Sequence, residues 1–587
     1  MTDAEPGSIE PRWDAIVDER GEPGGIAEPP DIDEATWGDT SGPVPDGDGP
    51  DDGAWQESSS SRLMRSSAVV AVGTGLSRVT GLVRTMAQAY ALGAFAVADA
   101  FSFANTIPNL LYDLLAGGVL AATLVPVFVD NLARRDRRAT DAVVTVMGVA
   151  LLVVTILGMA AVPVIALVVP NADTRSLVAA FLWMFLPQVF FYGLTTLLSG
   201  VLNSHRRFAA AAFVPVLNNI VVIGVLLVFS RWVGSDTPGA GDLLGQPGPL
   251  LFLGLGVTAG IVVQAIALWP ALRRAHIPLR WRFEWRNPAV RTVARLSGWT
   301  FGYVATNQVA LWVMLGLTFQ GDTPGEPVAY SLAYQFFQLP YGLLAASVIT
   351  AFMPDLAALA AAGDRQRFGE RFLLALRLTV FLVLPAAIGL VLLAQPAVAT
   401  LLGHGRFVEG DGVARTAQTL VAFAVGLVSF CLYLLAMRGF YARKDTRTPF
   451  LINLVETAVN IVLAVTFYKL GWGAPGLALS FALAYVVGAF IALAVLQRRS
   501  GGLGWTGSTS ALLRIGAAGA FMAAAVILVA GAVGGDTGAE AFVRLVAGIV
   551  AGAVVYLGAA ALFRVPELRD FAARFAGRLP GRRAPAG

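Results

Sequence analysis

Two arginines lie within the first long apolar stretch of the chain. Arg78 and Arg84 both fall inside residues 66–93, where small and apolar residues dominate. A guanidinium in hydrocarbon is costly unless it is compensated, so such arginines usually line a wet cavity. Guanidinium also binds phosphate and carboxylate groups through paired N–H donors. With Asp99 and Asp113 on the next apolar segment, the pattern predicts a transport path that accepts an anionic substrate.

The spacing of the two arginines limits how they can act together. On a helix, six residues separate Arg78 from Arg84 by about 9 Å along the axis and about 120° around it. Both can face one cavity only if that cavity is broad or the helix bends. The alternative is that Arg84 extends to the membrane interface or pairs with Asp99.

A further costly group is Glu456, in an apolar run of the second half of the chain. Asn460 follows one helical turn later and would share its face. With Asn307, these residues suggest a site for Na⁺ or H⁺, and hence coupling to an ion gradient or to the membrane potential. The alternative is a carboxylate satisfied by neighbouring helices. We expect no cofactor.

The composition is that of a polytopic membrane protein. Apolar residues make up 56% of the 587 positions and charged residues only 14%. The single cysteine, Cys431, excludes an intrachain disulfide. There is no phosphate-binding Gly-Lys-Ser/Thr loop and no zinc-ligand spacing. We therefore expect neither an enzyme nor a metal site, and no nucleic-acid partner.

The first 61 residues differ from the rest of the chain. They are rich in Pro, Gly, Asp and Glu and hold 17 of the 39 acidic residues but only two of the 42 basic ones. Such a segment cannot bury enough apolar surface to fold. It is predicted to be a disordered acidic cytoplasmic tail.

From residue 62 onward, apolar runs of roughly 20 residues follow one another, each long enough to cross a bilayer. About fourteen helices are predicted, at 66–92, 98–129, 141–169, 176–203, 209–232, 249–271, 293–318, 328–358, 371–394, 414–438, 447–468, 474–496, 511–534 and 541–563. Arginines concentrate in alternate connections, which is the positive-inside pattern. Both termini are therefore predicted to be cytoplasmic.

A faint internal repeat indicates two lobes. Ile107-Pro-Asn-Leu-Leu in the second run matches Leu339-Pro-Tyr-Gly-Leu in the eighth. Two six-helix halves around a central cavity are typical of secondary transporters. The predicted divisions are an N-terminal lobe at 62–280, a C-terminal lobe at 281–500, two extra helices at 501–565 and a basic cytoplasmic tail at 566–587.

Several motifs resemble one family. They are Ser77-Arg-Val-Thr-Gly-Leu-Val-Arg84, Ala98-Asp-Ala-Phe101 and Gly439-Phe-Tyr-Ala-Arg-Lys-Asp-Thr-Arg-Thr-Pro449. In order and spacing, over about residues 66–565, the chain is similar to the MurJ (MviN) lipid II flippases of the multidrug/oligosaccharidyl-lipid/polysaccharide exporter superfamily, and its lysine-poor composition suggests an actinobacterial branch.

The resemblance implies a function and a location. It implies fourteen helices, a cationic cavity between two lobes, and a lipid-tail groove beside the last two helices. It also implies that lipid II, the undecaprenyl-pyrophosphate-linked peptidoglycan precursor, moves from the inner to the outer leaflet of the bacterial cytoplasmic membrane by alternating access. Arg78 and Arg84 would then hold the diphosphate.

The chain departs from the family pattern at two places. Many relatives have a basic pair where this chain has Tyr112-Asp113, and a charged string where it has Ala333–Pro340. Two expected cavity arginines are therefore absent. Polar residues remain as candidate contacts for the headgroup, with Asp113 alternatively a partner for an arginine. These candidates are Asn109, Asp99, Asp113, Gln335 and Gln338.

Two other functions stay open from the sequence. One is a related exporter that carries a drug or another polyprenyl-linked sugar. The other is an inactive scaffold whose acidic tail recruits cell-wall synthesis or division proteins. Arginines inside apolar segments favour a transporter over a scaffold, because a scaffold has no use for such costly groups.

Overall fold

A computed structural model describes residues 72–568 except 74, 113–126, 129–130, 133, 135, 206, 235–238, 321–323, 409–410, 444 and 506. Side chains are also left undescribed at 111–112, 294–305 and 307. Asp113, the side chain of Asn307, the acidic tail at 1–61 and most of the basic tail at 566–587 thus lie outside the described residues.

The segment predicted as the N-terminal lobe (62–280), called the first lobe below, is made of apolar helices. Within the described residues its helices are α1 (75–92), α2 (Ala96–Tyr112), α3 (Arg137–Ala160), α4 (Val162–Ala166), α5 (Ala172–Phe185), α6 (Pro187–Ser204), α7 (Phe208–Val233), α8 (Ala240–Leu244), α9 (Pro247–Ile266) and α10 (Leu268–Arg274). Their core includes an aromatic cluster in which Phe101 meets the stacked rings of Phe181 and Phe185 edge-on.

The segment predicted as the C-terminal lobe (281–500), called the second lobe below, and the two last helices follow. Their helices are α11 (Pro288–Phe319), α12 (Glu326–Pro340), α13 (Ala346–Ala361), α14 (Arg365–Leu392), α15 (Ala394–Leu402), α16 (Gly412–Val425), α17 (Leu427–Ala442), α18 (Arg447–Lys469), α19 (Gly473–Arg499), α20 (Ser508–Val533) and α21 (Gly538–Leu562). The short helix α15 lies where the sequence suggested a loop.

The all-α membrane class is confirmed. Among the described residues, ten helices are long and apolar enough to span a membrane, or eleven if α16 and α17 form one bent span. The bend is 45° and occurs at Gly426, where a Cβ would lie 2.5 Å from Ala482 Cα. The absence of a side chain at Gly426 allows this close approach. The count of fourteen stays a prediction.

A proline changes the helix geometry without ending the eighth run. Between α12 and α13, directly after Pro340, the chain forms a π-helical turn, Tyr341–Ala345. Proline cannot donate to the helical ladder, and a π turn accommodates the lost bond. The helix is therefore locally widened after Pro340.

The last two helices pack together and against α14. The Tyr556 hydroxyl donates to the Phe381 carbonyl over 2.7 Å. Beyond α21, the fully buried Glu567 lies 2.9 Å from the Arg377 guanidinium of α14. A buried carboxylate requires such a partner, so the end of the described chain is held against the second lobe.

Candidate functional site

The two lobes meet along α1 and α12, which run antiparallel. The Thr85 hydroxyl donates to Gln335 Oε1 over 2.8 Å. Near one end, Gly325 approaches Ala94 so closely that a Cβ on Gly325 would lie 2.5 Å from the Ala94 carbonyl oxygen. Toward the other end, Arg78 reaches the π turn that follows α12. Residues of α1 therefore face both the interior of their own lobe and the opposite lobe.

Arg78 lies at this contact between lobes. Its side chain is exposed, and its guanidinium lies against Gly342, where an added Cβ would be 2.6 Å from Nη1. Any side chain on Gly342 would overlap the guanidinium. The planar group carries five N–H donors in a fixed arrangement. An exposed guanidinium between two lobes can bind a phosphate through two parallel hydrogen bonds.

Arg84 lies in a different place. It is half-buried and lines a small polar cavity inside the first lobe with Gln88, Asn105, Gln188 and Asn218. Two buried acceptors of this cavity, the amide oxygens of Gln188 and Asn218, have no hydrogen-bond partner among the described residues. The two arginines thus diverge, as expected from the angle between them on a helix.

Asp99 connects the lobes at the other end of α1. It is only 5% exposed and accepts hydrogen bonds from the backbone N–H groups of Gly325 (2.7 Å) and Val328 (3.3 Å). These groups lie at the start of α12, where the helix dipole favours a negative charge. Asn109 instead donates to the Asn105 carbonyl of its own helix over 2.7 Å. Substrate contact by Asp99 or Asn109 stays a prediction.

Two arginines that the sequence did not single out lie at the same end of the molecule as Asp99. Arg406 is 5% exposed and donates to the carbonyls of Ala91 and Gly234, each over 2.6 Å. Arg415 donates to the Pro324 carbonyl over 2.6 Å. Arg406 therefore links the second lobe to the first. Arg415 instead holds the backbone of its own lobe at Pro324, next to the Gly325 N–H that Asp99 accepts from. In the sequence Arg406 is an isolated loop charge, which gives no signal of burial.

Glu456 lines a separate cavity in the second lobe. The cavity has a volume of about 380 Å³, and its polar lining includes Gln308, Gln338, Glu456 and Asn460. Glu456 is 3% exposed. Gln338 donates to the Tyr334 hydroxyl over 2.7 Å, so Gln338 belongs to this cavity, whereas Gln335 contacts α1.

The donor set of this cavity suits a proton or a monovalent cation. Asn460 Oδ1 accepts from Ser480 over 3.0 Å, and Gln308 Oε1 has no partner among the described residues. One carboxylate with neutral amide and hydroxyl oxygens carries too little charge for tight binding of a divalent ion. Nowhere in the described chain do three or more His, Cys, Asp or Glu side chains form a group that could hold a metal ion.

Known proteins are similar to this chain in sequence and in fold. The family profile described as lipid II flippase MurJ matches residues 88–547. Relatives include a probable lipid II flippase MurJ of Rhizobium meliloti, 30% identical over 74% of this chain and 81% of its own length, and the lipid II flippase MurJ of Burkholderia cenocepacia, 29% identical over 74% and 84%.

Solved structures show the same architecture. A lipid II flippase MurJ in an inward closed conformation superposes with a TM-score of 0.69 at 22% identity, covering 86% of this chain and 100% of that one. An inward-facing transporter of the multidrug resistance MATE family gives 0.60 at 14% identity, covering 73% and 96%. The profile match spans most of the chain, and the protein therefore belongs to the lipid II flippase MurJ family.

Proposed function

We propose that this protein carries lipid II from the inner to the outer leaflet by alternating access, with Arg78 as the main ligand of the diphosphate. The observation that carries the proposal is the exposed Arg78 guanidinium at the contact between the lobes. A flippase must lower the cost of moving a charged headgroup through hydrocarbon while the tail stays in lipid. A guanidinium between two moving lobes provides that compensation where the headgroup has to pass.

The orientation is part of the proposal. The chain is a multi-pass protein of the inner membrane. The arginine-rich connections around 134–138, 273–286, 365–371 and 498–499 are assigned to the cytoplasm by the positive-inside rule. Reporters fused after Arg137 and Arg499 should then report a cytoplasmic location, and one between 234 and 248 an external one. An external signal after Arg137 would reverse the assignment.

With this orientation, the contacts of Asp99, Arg406 and Arg415 lie on the external side. Asp99 and Arg406 join the two lobes there, and Arg415 holds the Pro324 carbonyl of its own lobe beside the Asp99 contact. We infer a conformation closed to the outside, in which Arg78 is available for a headgroup that enters from the inner leaflet. Opening to the outside would have to break the contacts of Asp99 and Arg406.

We further propose that the Glu456 cavity binds the coupling ion, a proton or Na⁺. Glu456 is a buried carboxylate of the lobe opposite Arg78, among amide oxygens that include an unpartnered one. The two lobes would then hold ion and substrate separately. The acidic tail at 1–61 is retained as a candidate contact for cell-wall synthesis or division proteins.

Complementation of a flippase-depleted bacterium, with outer-leaflet lipid II measured directly, tests the central proposal. Arg78→Ala should abolish flipping, and Arg78→Lys should restore only part of it, because an ammonium keeps the charge but cannot form the paired contact. Arg231→Ala is the matched control, since Arg231 is an exposed arginine at the end of α7. Full activity of Arg78→Ala would mean that the diphosphate binds elsewhere. Growth of the complemented strain without outer-leaflet lipid II would favour a scaffold.

A further inference from the structure

The connection between the two lobes is fixed along the surface of α3. Residues 275–287 join α10 to α11 without forming a helix of their own. The backbone N–H of Arg280 donates to Asp141 Oδ1 over 3.1 Å, and that of Arg282 to Thr145 Oγ1 over 3.0 Å. Asp141 and Thr145 are one helical turn apart. Two residues of the connection therefore span one turn of α3, which keeps this segment extended.

An ion pair holds the next part of the connection. Glu284 accepts two hydrogen bonds from Arg138 Nε, at 2.9 and 3.1 Å. This bond from Arg138 holds the pKa of Glu284 below its usual range, so the carboxylate stays charged at neutral pH. Asn287 then caps the start of α11 by accepting from the Ala289 N–H over 3.0 Å. The segment is an ordered surface.

Three large aromatic side chains project from this surface. Trp281, Phe283 and Trp285 are 77%, 54% and 57% exposed. The Glu284 N–H donates to the Arg282 carbonyl over 3.1 Å and the Asn287 N–H to the Glu284 carbonyl over 3.0 Å, so the backbone turns after Arg282 and the three rings lie on a short, turning segment. Three exposed aromatic rings on a fixed backbone are unfavourable in water. Trp and Tyr rings are favoured at membrane–water interfaces, where both an apolar and a polar environment are present.

Arginines alternate with the aromatic residues. Arg280, Arg282 and Arg286 alternate with the rings, together with Glu284, which pairs with Arg138 and also lies 3.7 Å from the Arg282 guanidinium. The Arg286 guanidinium lies 4.8 Å from the centre of the Trp285 ring, close enough for a cation–π contact. On α10, Arg273 lies over Trp269 at 5.6 Å. The surface therefore presents positive charge directly beside apolar rings.

The position of this surface identifies the kind of partner that it fits. The connection begins directly after α10, which ends the apolar span Pro247–Arg274, and it is bound to the first turns of the apolar span Arg137–Ala160. Its position at the ends of two spans favours the membrane interface. We propose that the surface formed by residues 280–286, the linker surface, binds the headgroups of anionic phospholipids, with the rings in the interface and the guanidinium groups on the phosphates. A neutral zwitterionic headgroup would offer no net charge to the arginines.

Lipid binding to the purified full-length chain tests this proposal without lipid II. Native mass spectrometry would compare phosphatidylglycerol with phosphatidylcholine of the same acyl chains. We expect phosphatidylglycerol to bind at least tenfold more tightly. The variant Arg280→Gln/Arg282→Gln/Arg286→Gln should lose about tenfold or more of this preference, because each basic residue near an anionic surface adds a factor of about five to binding. Trp281→Ala/Phe283→Ala/Trp285→Ala should weaken binding of both lipids.

A matched control separates this surface from charge in general. Arg365 and Arg367 are exposed arginines at the start of α14, in another of the arginine-rich connections. The variant Arg365→Gln/Arg367→Gln should keep the preference for phosphatidylglycerol. Equal binding of the two lipids by the unaltered chain would overturn the proposal, and that comparison needs no variant. An equal loss of the preference in the control variant would overturn it too. Displacement of phosphatidylglycerol by equimolar undecaprenyl pyrophosphate would also overturn it, because the surface would then be a substrate site.

Discussion

The contact between Arg78 and Gly342 predicts a specific effect of adding one methyl group. In Gly342→Ala the new Cβ would lie 2.6 Å from Arg78 Nη1, whereas ordinary contact begins at 3.4 Å, so the guanidinium must retreat by about 0.8 Å. The side chain can move because its end is flexible, and folding should not suffer. A displacement of this size misaligns one of two charge-assisted hydrogen bonds to a phosphate. Each such bond contributes about 1.5–3 kcal/mol, so flipping should fall roughly 10- to 100-fold.

The assay is outer-leaflet lipid II in a flippase-depleted strain, together with the thermal stability of the purified chain. Alanine in place of a helical glycine adds up to about 1 kcal/mol of stability. Loss of flipping with unchanged or higher stability would therefore indicate displacement of Arg78 and not unfolding. Gly75→Ala is the matched control, because Gly75 lies on the same helix as Arg78 and a Cβ there would meet nothing within 4 Å.

A double-mutant cycle distinguishes action through Arg78 from any other effect of Gly342. If the methyl group acts by moving the guanidinium, then Gly342→Ala should add little to the loss already caused by Arg78→Lys, because neighbouring residues that act through one contact are not additive. Full activity of Gly342→Ala would refute the reasoning, and so would losses that simply multiply.

Three further predictions follow from the described contacts. Arg406→Met removes the hydrogen bond to the buried Ala91 carbonyl and the one to the exposed Gly234 carbonyl. It should lower the free energy of unfolding by roughly 1–3 kcal/mol, measured as a shift in the unfolding midpoint; no shift would mean that water replaces the guanidinium. Glu456→Gln should remove the dependence of flipping on sodium, pH or membrane potential, and unchanged dependence would make Glu456 structural. The lowered pKa of Glu284 stabilises the folded chain above the ordinary carboxyl pKa, an effect lost as the pH falls through the lowered value. Glu284→Gln should therefore be less stable than the unaltered chain at pH 7 and equal to it in strong acid, whereas a difference independent of pH would exclude the Arg138 pair as its cause.

The elements could be predicted from the sequence better than their contacts. Apolar length alone locates helices such as α20 and α21 within a few residues, because the bilayer fixes the length of a span. The cost of a charge in hydrocarbon likewise singles out Arg78 and Glu456. The contact of Arg78 with Gly342 joins residues far apart in the chain, and no local pattern encodes it. The contact forms only when the two lobes pack against each other.

Gln335 and Gln338 show the same limit on a smaller scale. Both are candidate contacts for the headgroup from the sequence, and contact with a headgroup stays a prediction. In the structure Gln335 accepts from Thr85 of α1, and Gln338 lines the Glu456 cavity. Three residues turn a helix by about 300°, so the two side chains point about 60° apart. Because α12 lies between α1 and the Glu456 cavity, this angle is enough to place the two side chains on different sides of the helix. The sequence gives the angle but not what lies on each side.

The contacts at the end of the molecule near Asp99 set the energy that transport has to supply. Asp99 and Arg406 bind backbone groups of the opposite lobe, so their partners cannot be removed by substitution and the strength of the closure depends on these two side chains. Hydrogen bonds to charged groups contribute about 1.5–3 kcal/mol each, net of the exchange with water. Reversing a two-state equilibrium from 1:99 to 99:1 takes about 5.5 kcal/mol. Breaking a few such bonds is therefore comparable to a complete switch, and a headgroup at Arg78 or an ion at Glu456 must bind the open state more tightly by that amount. Weakening the closure with Asp99→Asn, which removes the charge that accepts from Gly325 and Val328, should then shift the chain toward the externally open state without substrate. Labelling of a cysteine introduced at Ala96 in a Cys431→Ala background would detect this shift; unchanged labelling would show that the closure does not depend on the Asp99 contact.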